Sequence, residues 1–296
     1  MTESTQIKIP QEAFDWYDEY AHGDIDRRTF MSRLASLAGT GISMSLLAGA
    51  LIPNYALAEQ VSFNDPDIHA SYATFESPDG YIEGRGYLVR PGKLNAKAAK
   101  VLVVHENRGL NPYIKDVVRR LAKQGYIAFA PDALHTLGGY PGNDDEGKVM
   151  QKSLDRSKIE QDFIAAAKFL KVHKLGNANL GVVGFCFGGY ITNMLAATLP
   201  GTVNAAVPFY GTPAKDPVVG NIKGPLMLQF AELDKRVNGT WPAYETRLKK
   251  NGVDYQAFIY PGVNHGFHND STGRYNEAAA ELAWSRTLTF FGEHLA

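Results

Sequence analysis

From residue 100 onward, short apolar segments alternate with amphipathic ones. The β-branched run KVLVVHE is followed by a segment whose apolar residues fall on one helical face: Ile114, Val117, Val118 and Leu121. The alternation continues through YIAFAPDAL, NLGVVGF, VNAAVPFYG, GPLMLQFAEL and YQAFIYPG to a last helical stripe. Such a pattern predicts an α/β fold with a mostly parallel central sheet and helices on both faces.

Two extended segments precede this alternation. YATFES and YIEGRGYLVRP are separated by Pro78, Asp79 and Gly80, which predicts an N-terminal antiparallel hairpin. In open α/β sheets, ligands bind beyond the carboxyl ends of the strands. We therefore expect the chemistry of this chain to lie directly after its strands.

Residues 1–58 differ from the rest of the chain in their pattern of charged and apolar residues. Arg27 and Arg28 precede Phe30 and a mildly apolar stretch, which ends in an A-x-A sequence at Ala58. This order resembles a twin-arginine export signal with its cleavage site. The acidic leading segment FDWYDEYAHGDID is long for such a signal. The alternative is a helical N-terminal arm that stays on the protein and packs against it.

The export interpretation divides the chain into a signal at 1–58 and one α/β domain at 59–296. It places the mature protein in the periplasm, whereas a retained arm leaves the protein in the cytoplasm. The mild apolarity of the stretch and the break at Pro53 argue against stable membrane insertion.

Composition narrows the class of partner. The chain has 30 Lys and Arg against 31 Asp and Glu, so no bulk field draws it to nucleic acid or anionic lipid. Its single cysteine excludes an internal disulfide, so the core alone must hold the fold. A small-molecule substrate is the favoured partner, and composition does not indicate the oligomeric state.

That single cysteine, Cys186, lies in GFCFGG directly after the strand NLGVVGF. Gly184 to Gly188 have the G-x-nucleophile-x-G form of a nucleophile elbow, with Cys in place of Ser. The glycines relieve crowding at the sharp turn, and the following helix N-terminus favours a thiolate. The backbone N–H of Phe187 is placed to bind an oxyanion. The alternative is that Cys186 is a small buried hydrophobic residue with no catalytic role.

A cysteine nucleophile needs a base and an orienting acid. Asp234 follows the strand of GPLMLQFAELDKRV, and His265 follows that of YQAFIYPGVNHGF. The chain order Cys186, Asp234, His265 is the order of nucleophile, acid and base in α/β-hydrolases. Asp234 could instead be a surface charge. The alternatives are Glu232 for the acid and two histidines for the base: His268 and His294.

These motifs, with VLVVHENRGLN and FAPDAL, resemble the dienelactone hydrolase family of the α/β-hydrolase superfamily over residues 70–296. The resemblance implies that Cys186, Asp234 and His265 form the catalytic triad. It also implies that Glu106 accepts the thiol proton and that the backbone N–H of Asn107 completes the oxyanion hole. The alternative for Glu106 is a carboxylate paired with Arg108.

The substrate pocket departs from the family pattern. Members that act on dienelactone hold its carboxylate with two arginines, whereas the corresponding stretches here read PDALHT and HGFHND. Arg274 is nine positions beyond His265, which leaves its reach open. The Gly-rich loop at 134–147 is either a cover for the site or a plain surface loop. The candidate pocket residues are Arg108, His135, Tyr140 and Tyr210.

The sequence thus predicts a cysteine-dependent ester or lactone hydrolase that acts through a thioacyl-enzyme and needs no cofactor. HENRGLNPYIKD lacks the H-E-x-x-H spacing of a zinc peptidase, so no metal site is expected. Two alternatives stay open: a hydrolase-fold protein that binds a ligand without turnover, and an acyl transferase or thioesterase on the same triad.

Overall fold

One mostly parallel sheet forms the centre of the protein. The computed structural model describes residues 9–38, 53–215 and 218–296, together with Leu47, Gly49 and Leu51. The described strands, in chain order, are β1 (Ile68–Ser77), β2 (Ile82–Pro91), β3 (Lys100–Val104), β4 (Ile127–Pro131), β5 (Leu180–Phe185), β6 (Ala205–Phe209), β7 (Leu226–Ala231) and β8 (Tyr255–Tyr260).

Helices cover both faces of this sheet, and three further described helices precede its first strand. In chain order they are α1 (Gln11–His22), α2 (Arg27–Ala38), α3 (Tyr55–Ala58), α4 (Pro112–Lys123), α5 (Asp144–Ser153), α6 (Arg156–Lys171), α7 (Phe187–Thr198), α8 (Lys235–Asn238), α9 (Trp241–Lys250) and α10 (Glu277–Leu295). Short 3-10 turns lie at His135–Leu137 and Val218–Asn221. Among the described residues, no helix is both long and apolar enough to span a membrane.

The strand order is β1-β2-β4-β3-β5-β6-β7-β8. The strands β1 and β2 form the predicted antiparallel hairpin, β2 pairs antiparallel with β4, and the remaining pairs are parallel. The predicted α/β-hydrolase architecture is therefore confirmed. Because β3 lies between β4 and β5, the chain reverses its direction of winding at β3, and the carboxyl ends of β3 and β5 meet at this switch point.

The core divides into one apolar cluster on each face of the sheet. Alternation along β3 shows the division, since Val101 and Val103 belong to one cluster and Leu102 and Val104 to the other. All four side chains are fully buried. On α6, the helically spaced residues Ile159, Phe163, Ala166 and Leu170 pack into the second cluster, and the helices α4 and α10 pack into the first.

A third apolar cluster joins the N-terminal arm, defined here as residues 11–38, to Leu51. The helices α1 and α2 pack on each other, and Tyr20 stacks on Phe30 with ring centroids 5.0 Å apart. The buried members of this cluster are Ala13, Tyr17, Tyr20, Ala21, Phe30, Leu34 and Leu51. None of them belongs to either sheet cluster.

Outside the N-terminal arm, the apolar pattern did not predict the described helices α3, α5, α8 and α9. The helix α5 is strongly polar and begins inside the Gly-rich loop expected at 134–147. Its start is fixed by Asn143, whose side chain accepts hydrogen bonds from the N–H groups of Asp145 and Glu146. The helix α9 buries only Tyr244 and Leu248, too few residues to make a clear stripe.

Close packing of the helix α7 against the carboxyl end of the strand β3 leaves no room for a side chain at Gly188. A Cβ atom there would overlap the carbonyl oxygens of Val104 and His105. We expect Gly188→Ala to destabilise the protein by about 1–3 kcal/mol, measured by urea unfolding. Gly292→Ala is the matched control, because a Cβ at this position of α10 meets no atom within 4 Å. It should leave stability unchanged or raise it by about 0.5–1 kcal/mol. Equal effects of the two substitutions would contradict the packing argument.

Candidate active site

Cys186 lies at the turn between the strand β5 and the helix α7. Its backbone angles are φ 56° and ψ −113°, outside the regions that side chains favour, and its N–H donates to the carbonyl of Phe209 over 3.1 Å. A Cβ at Gly184 would overlap the carbonyl of Gly188, so glycine is required on both sides of this turn. The local geometry is that of a nucleophile elbow, which presents the thiol at the carboxyl edge of the sheet.

Two histidines face the Cys186 thiol. Its Sγ atom lies 3.4 Å from Nε2 of His22, and the nearest donor atoms of Cys186, His22 and His265 all lie within 4.8 Å of one another. The rings of His22 and His265 meet edge to face, with centroids 4.9 Å apart. His265 was predicted at this position, whereas His22 was not.

His265 is paired with Asp234. Its Nδ1 atom lies 2.5 Å from Oδ2 of Asp234, whose Oδ1 accepts a hydrogen bond from the N–H of Val237 over 3.0 Å. Both side chains are almost fully buried, so Asp234 is not an ordinary surface charge. The Nε2 atom of His265 is buried and has no hydrogen-bond partner among the described residues. This imidazole is therefore oriented by Asp234, with one nitrogen left to meet a reacting group.

The rival residues lie elsewhere. Glu232 is exposed and accepts a hydrogen bond from the N–H of Gly262. His268 is packed between aromatic rings and hydrogen-bonded to the Tyr113 hydroxyl over 2.7 Å, and burial lowers its pKa to about 3. His294 packs on Phe290 near the end of the helix α10. None of the three is brought to the Cys186 thiol.

Opposite charges at the site favour an ion pair. Burial alone would raise the pKa of the Cys186 thiol, but the positive charges of His265 and His22 hold it well below its usual range. Burial alone would likewise lower the pKa of His265, but the carboxylates of Asp234 and Asp18 and the Cys186 thiolate raise it to about 10. At neutral pH the site therefore favours a thiolate beside an imidazolium.

Glu106 follows the strand β3, next to the elbow. Its carboxyl group is buried and accepts a hydrogen bond from Nδ2 of Asn269 over 3.0 Å. Burial, together with the negative charge of Cys186, raises the pKa of Glu106. The predicted alternative, a pair between Glu106 and Arg108, is not formed, because the guanidinium of Arg108 contacts Asp144 over 3.1 Å.

The two residues with predicted oxyanion-binding N–H groups lie on either side of the site. Phe187 is the first residue of the helix α7, and Asn107 follows Glu106. Both line a cavity of about 300 Å³ beside His22. The side-chain amide of Asn107 donates to the carbonyl of Ala21 over 2.8 Å, so the arm reaches this part of the site as well.

The predicted pocket residues separate into three groups. Tyr210 is buried, with its ring centroid 4.8 Å from that of His265. Tyr140 and Arg108 line a cavity of about 190 Å³ that neither Cys186 nor His265 lines. His135 instead lies 3.7 Å from Glu83 and lines a separate small cavity with Tyr81 and Asp162, so the structure does not bring it to Cys186.

The cover over the site differs from the expected one. The loop at 134–147 lines the cavity beside Arg108, whereas the helix α1 lies directly over Cys186. Arg274, whose reach was left open, packs against Gly266 and holds its guanidinium 3.7 Å from Asp18 and 4.6 Å from the centre of the Tyr17 ring. No local motif signals these contacts, because their partners are distant in sequence.

His22, Cys186 and His265 are the one described group of three side chains spaced to share a metal ion. The guanidinium of Arg236 lies 2.7 Å from Nε2 of His22, however. A cation at this group would meet that positive charge, so the arrangement does not fit a metal centre.

Comparisons with known proteins agree with this geometry. Residues 85–295 match the model of the "Dienelactone hydrolase family", and residues 1–39 match a separate model described as "YqhI-like". The chain is 63% identical over 105 residues to "Putative hydrolase fragment YghX" of Escherichia coli strain K12, covering 36% of this chain and 90% of that one. It is 35% identical over 224 residues to "Putative carboxymethylenebutenolidase" of Aquifex aeolicus, covering 72% of this chain and 95% of that one.

Among solved structures, a "Putative Dienelactone Hydrolase" from Klebsiella pneumoniae superposes with a TM-score of 0.65 at 25% identity, covering 76% of this chain and 99% of that one. The sheet topology and the elbow define the protein as an α/β-hydrolase. Since the family model matches most of the chain, the protein belongs to the dienelactone hydrolase family of ester and lactone hydrolases.

The charges around Cys186 predict a pH dependence that can be measured directly. The ultraviolet absorbance of the thiolate should persist as the pH falls well below about 8.5, where an ordinary cysteine loses it. Because the folded pKa is the lower one, thiol ionisation stabilises the fold above the unfolded pKa, and this contribution is lost as the pH falls through the folded pKa. Cys186→Ser supplies the blank. A titration midpoint equal to that of the urea-unfolded chain would contradict the ion pair.

Proposed function

We propose that the protein hydrolyses carboxylic esters or lactones through a covalent thioacyl-enzyme on Cys186. The observation that carries this proposal is the strained elbow cysteine beside an imidazole that Asp234 orients over 2.5 Å. A thiolate nucleophile, a base and an orienting acid are the parts that acyl transfer needs. The name carboxymethylenebutenolidase, given to the Aquifex relative, is in keeping with a lactone substrate.

In the proposed first step, the Cys186 thiolate attacks the carbonyl carbon and a carbon–sulfur bond forms. The N–H groups of Phe187 and Asn107 stabilise the oxyanion. As the bond to the leaving oxygen breaks, the imidazolium of His265 gives that oxygen its proton. His265 then takes a proton from water, the hydroxide attacks the thioester, and the carbon–sulfur bond breaks to restore the thiolate.

Glu106 has a supporting role in this proposal. Its raised pKa, caused first by burial, lets the carboxyl group hold a proton more readily than an exposed glutamate does. It is held in place by the amide of Asn269. We assign it the role of accepting the proton of Cys186 whenever the thiol is in its neutral form.

The nucleophile can be tested on the full chain with a panel of short aryl esters and small lactones. Cys186→Ala should lower kcat/KM by about 10³-fold or more, because no other group can form the acyl-enzyme. Mass spectrometry of the wild-type protein during turnover should show the added acyl group, and the variant should not. Equal turnover by wild type and Cys186→Ala would contradict the proposal. Faster deacylation by an added alcohol or thiol than by water would favour acyl transfer.

The acid offers a matched pair of variants in the same assay. Asp234→Asn should lower kcat by about 10²–10⁴-fold, since it removes the charge that orients and protonates His265. Glu232→Gln removes an exposed carboxylate two residues away and should change kcat less than about twofold. The reverse order of effects would assign the acid to Glu232.

For the N-terminal segment we propose export, with residues 1–58 as the signal and the periplasm as the destination. Arg27 and Arg28 are exposed, as recognition by a translocase requires. Arg27→Lys together with Arg28→Lys should retain the protein in the cytoplasm, as read by cell fractionation, while the matched Arg33→Lys on the same helix should not. An unchanged distribution of the double variant would contradict export and leave a cytoplasmic protein with a retained arm.

A further inference from the structure

The helix α1 contacts the residues on which the proposed reaction depends. His22 meets Sγ of Cys186 over 3.4 Å, and the carbonyl of Ala21 accepts from the Asn107 amide over 2.8 Å. The Tyr17 hydroxyl lies 3.4 Å from Nη1 of Arg108. One helix thus touches the nucleophile, the predicted oxyanion side and a predicted pocket arginine.

Asp18 places a carboxylate among positive groups at the same site. It lies 3.7 Å from Nη1 of Arg274 and 3.9 Å from Nε of Arg236. Burial alone would raise the pKa of Asp18, but the charges of His265, His22 and Arg274 lower it strongly. The arm therefore supplies the negative charge that pairs with these cations. Without the arm, the cations would be open to an anionic ligand or to solvent.

Seated in this way, α1 divides the space above the sheet. Separate cavities of about 190, 330 and 300 Å³ lie around the arm, each lined by arm residues on one side and by residues of the hydrolase domain on the other. Tyr17 borders the first, Asp18 the second and His22 the third. His265 borders the second space and Phe187 the third, so two of the three lie against neighbours of Cys186; the three spaces together are called the basin here.

Besides these central contacts, polar contacts hold the edges of the arm. Gln11 donates to Asn264 over 2.5 Å, Arg27 lies 3.5 Å from Asp145, and Lys148 donates to the carbonyl of Tyr20. Such contacts are individually weak and screened by salt. Because the apolar cluster of the arm is separate from both sheet clusters, the arm can leave without opening either core.

We propose that the basin around Cys186 is the docking surface for the N-terminal arm, and that the seated arm inhibits the hydrolase until it is released. Substrate and helix α1 compete for the same space above Cys186. Cleavage after Ala58, proposed above as part of export, removes the inhibitor permanently. The inference rests on the proposed role of Cys186 as nucleophile, but its test has a separate readout.

Cys186 is the only cysteine in the chain, so the rate of its alkylation by iodoacetamide reports access to the site alone. The rate is measured on the full chain at a pH that ionises the thiol completely, which separates access from changes in pKa. Asp18→Lys reverses the charge that faces Arg274 and Arg236 and should raise this rate by about tenfold or more. Glu12→Lys makes the same reversal at an exposed position of α1 and should leave the rate unchanged.

A second form keeps the sequence of the arm intact. A specific protease site is inserted between Thr40 and Gly41, and the cut arm is washed away at high salt, with mass spectrometry to confirm its loss. The alkylation rate should rise by at least the same factor as in Asp18→Lys. Ester turnover should rise in parallel, because the open fraction limits both.

The outcomes separate the two proposals. If loss of the arm speeds alkylation of Cys186 but no ester or lactone is turned over, inhibition by the arm is supported and ester hydrolysis is overturned. If esters are turned over but the alkylation rate does not change on loss of the arm, inhibition by the arm is overturned and ester hydrolysis stands. A fall in the rates of alkylation and of ester turnover after removal of the arm also overturns inhibition by the arm, since it would show that His22 or Asp18 assists the reaction.

Discussion

The close approach of the strand β5, the turn at Cys186 and the helix α7 is the constraint on which the rest of the site depends. Gly184 and Gly188 leave no space for a Cβ atom, and the tight turn between them holds Cys186 at a φ of 56°. The thiol consequently stands clear of the backbone, where side chains from other strand ends can reach it. A looser turn would keep the sheet but lose the point at which the other groups converge.

Electrostatics then decides the state of the groups that converge. Burial on its own would keep both the Cys186 thiol and the His265 imidazole neutral. Each is charged because the other is present and because Asp234 fixes the imidazole from behind. The three groups thus form a cooperative unit, in which the loss of any one charge weakens the stabilisation of the charges on the other two.

Local sequence signals were sufficient for the fold and for much of the site. Periodic apolar residues specify the strands and the helices α4, α6, α7 and α10, since burial of a face is a local demand on sequence. The set Cys186, Asp234 and His265 follows from their positions after strands. The polar helix α5 and the placement of His135 depend on capping and loop packing, which carry weaker signals. Asn269 and Arg274 could be located only from tertiary contacts.

The position of the arm over the site was the feature least accessible from the sequence, because its contact partners are distant along the chain. His22 is 164 residues from Cys186 and 214 from Arg236, and Gln11 is 253 from Asn264. During synthesis the arm leaves the ribosome first, whereas much of its docking surface is made last. Docking can therefore begin only when the domain is nearly complete, so the order of synthesis makes the seating of the arm one of the last steps of folding.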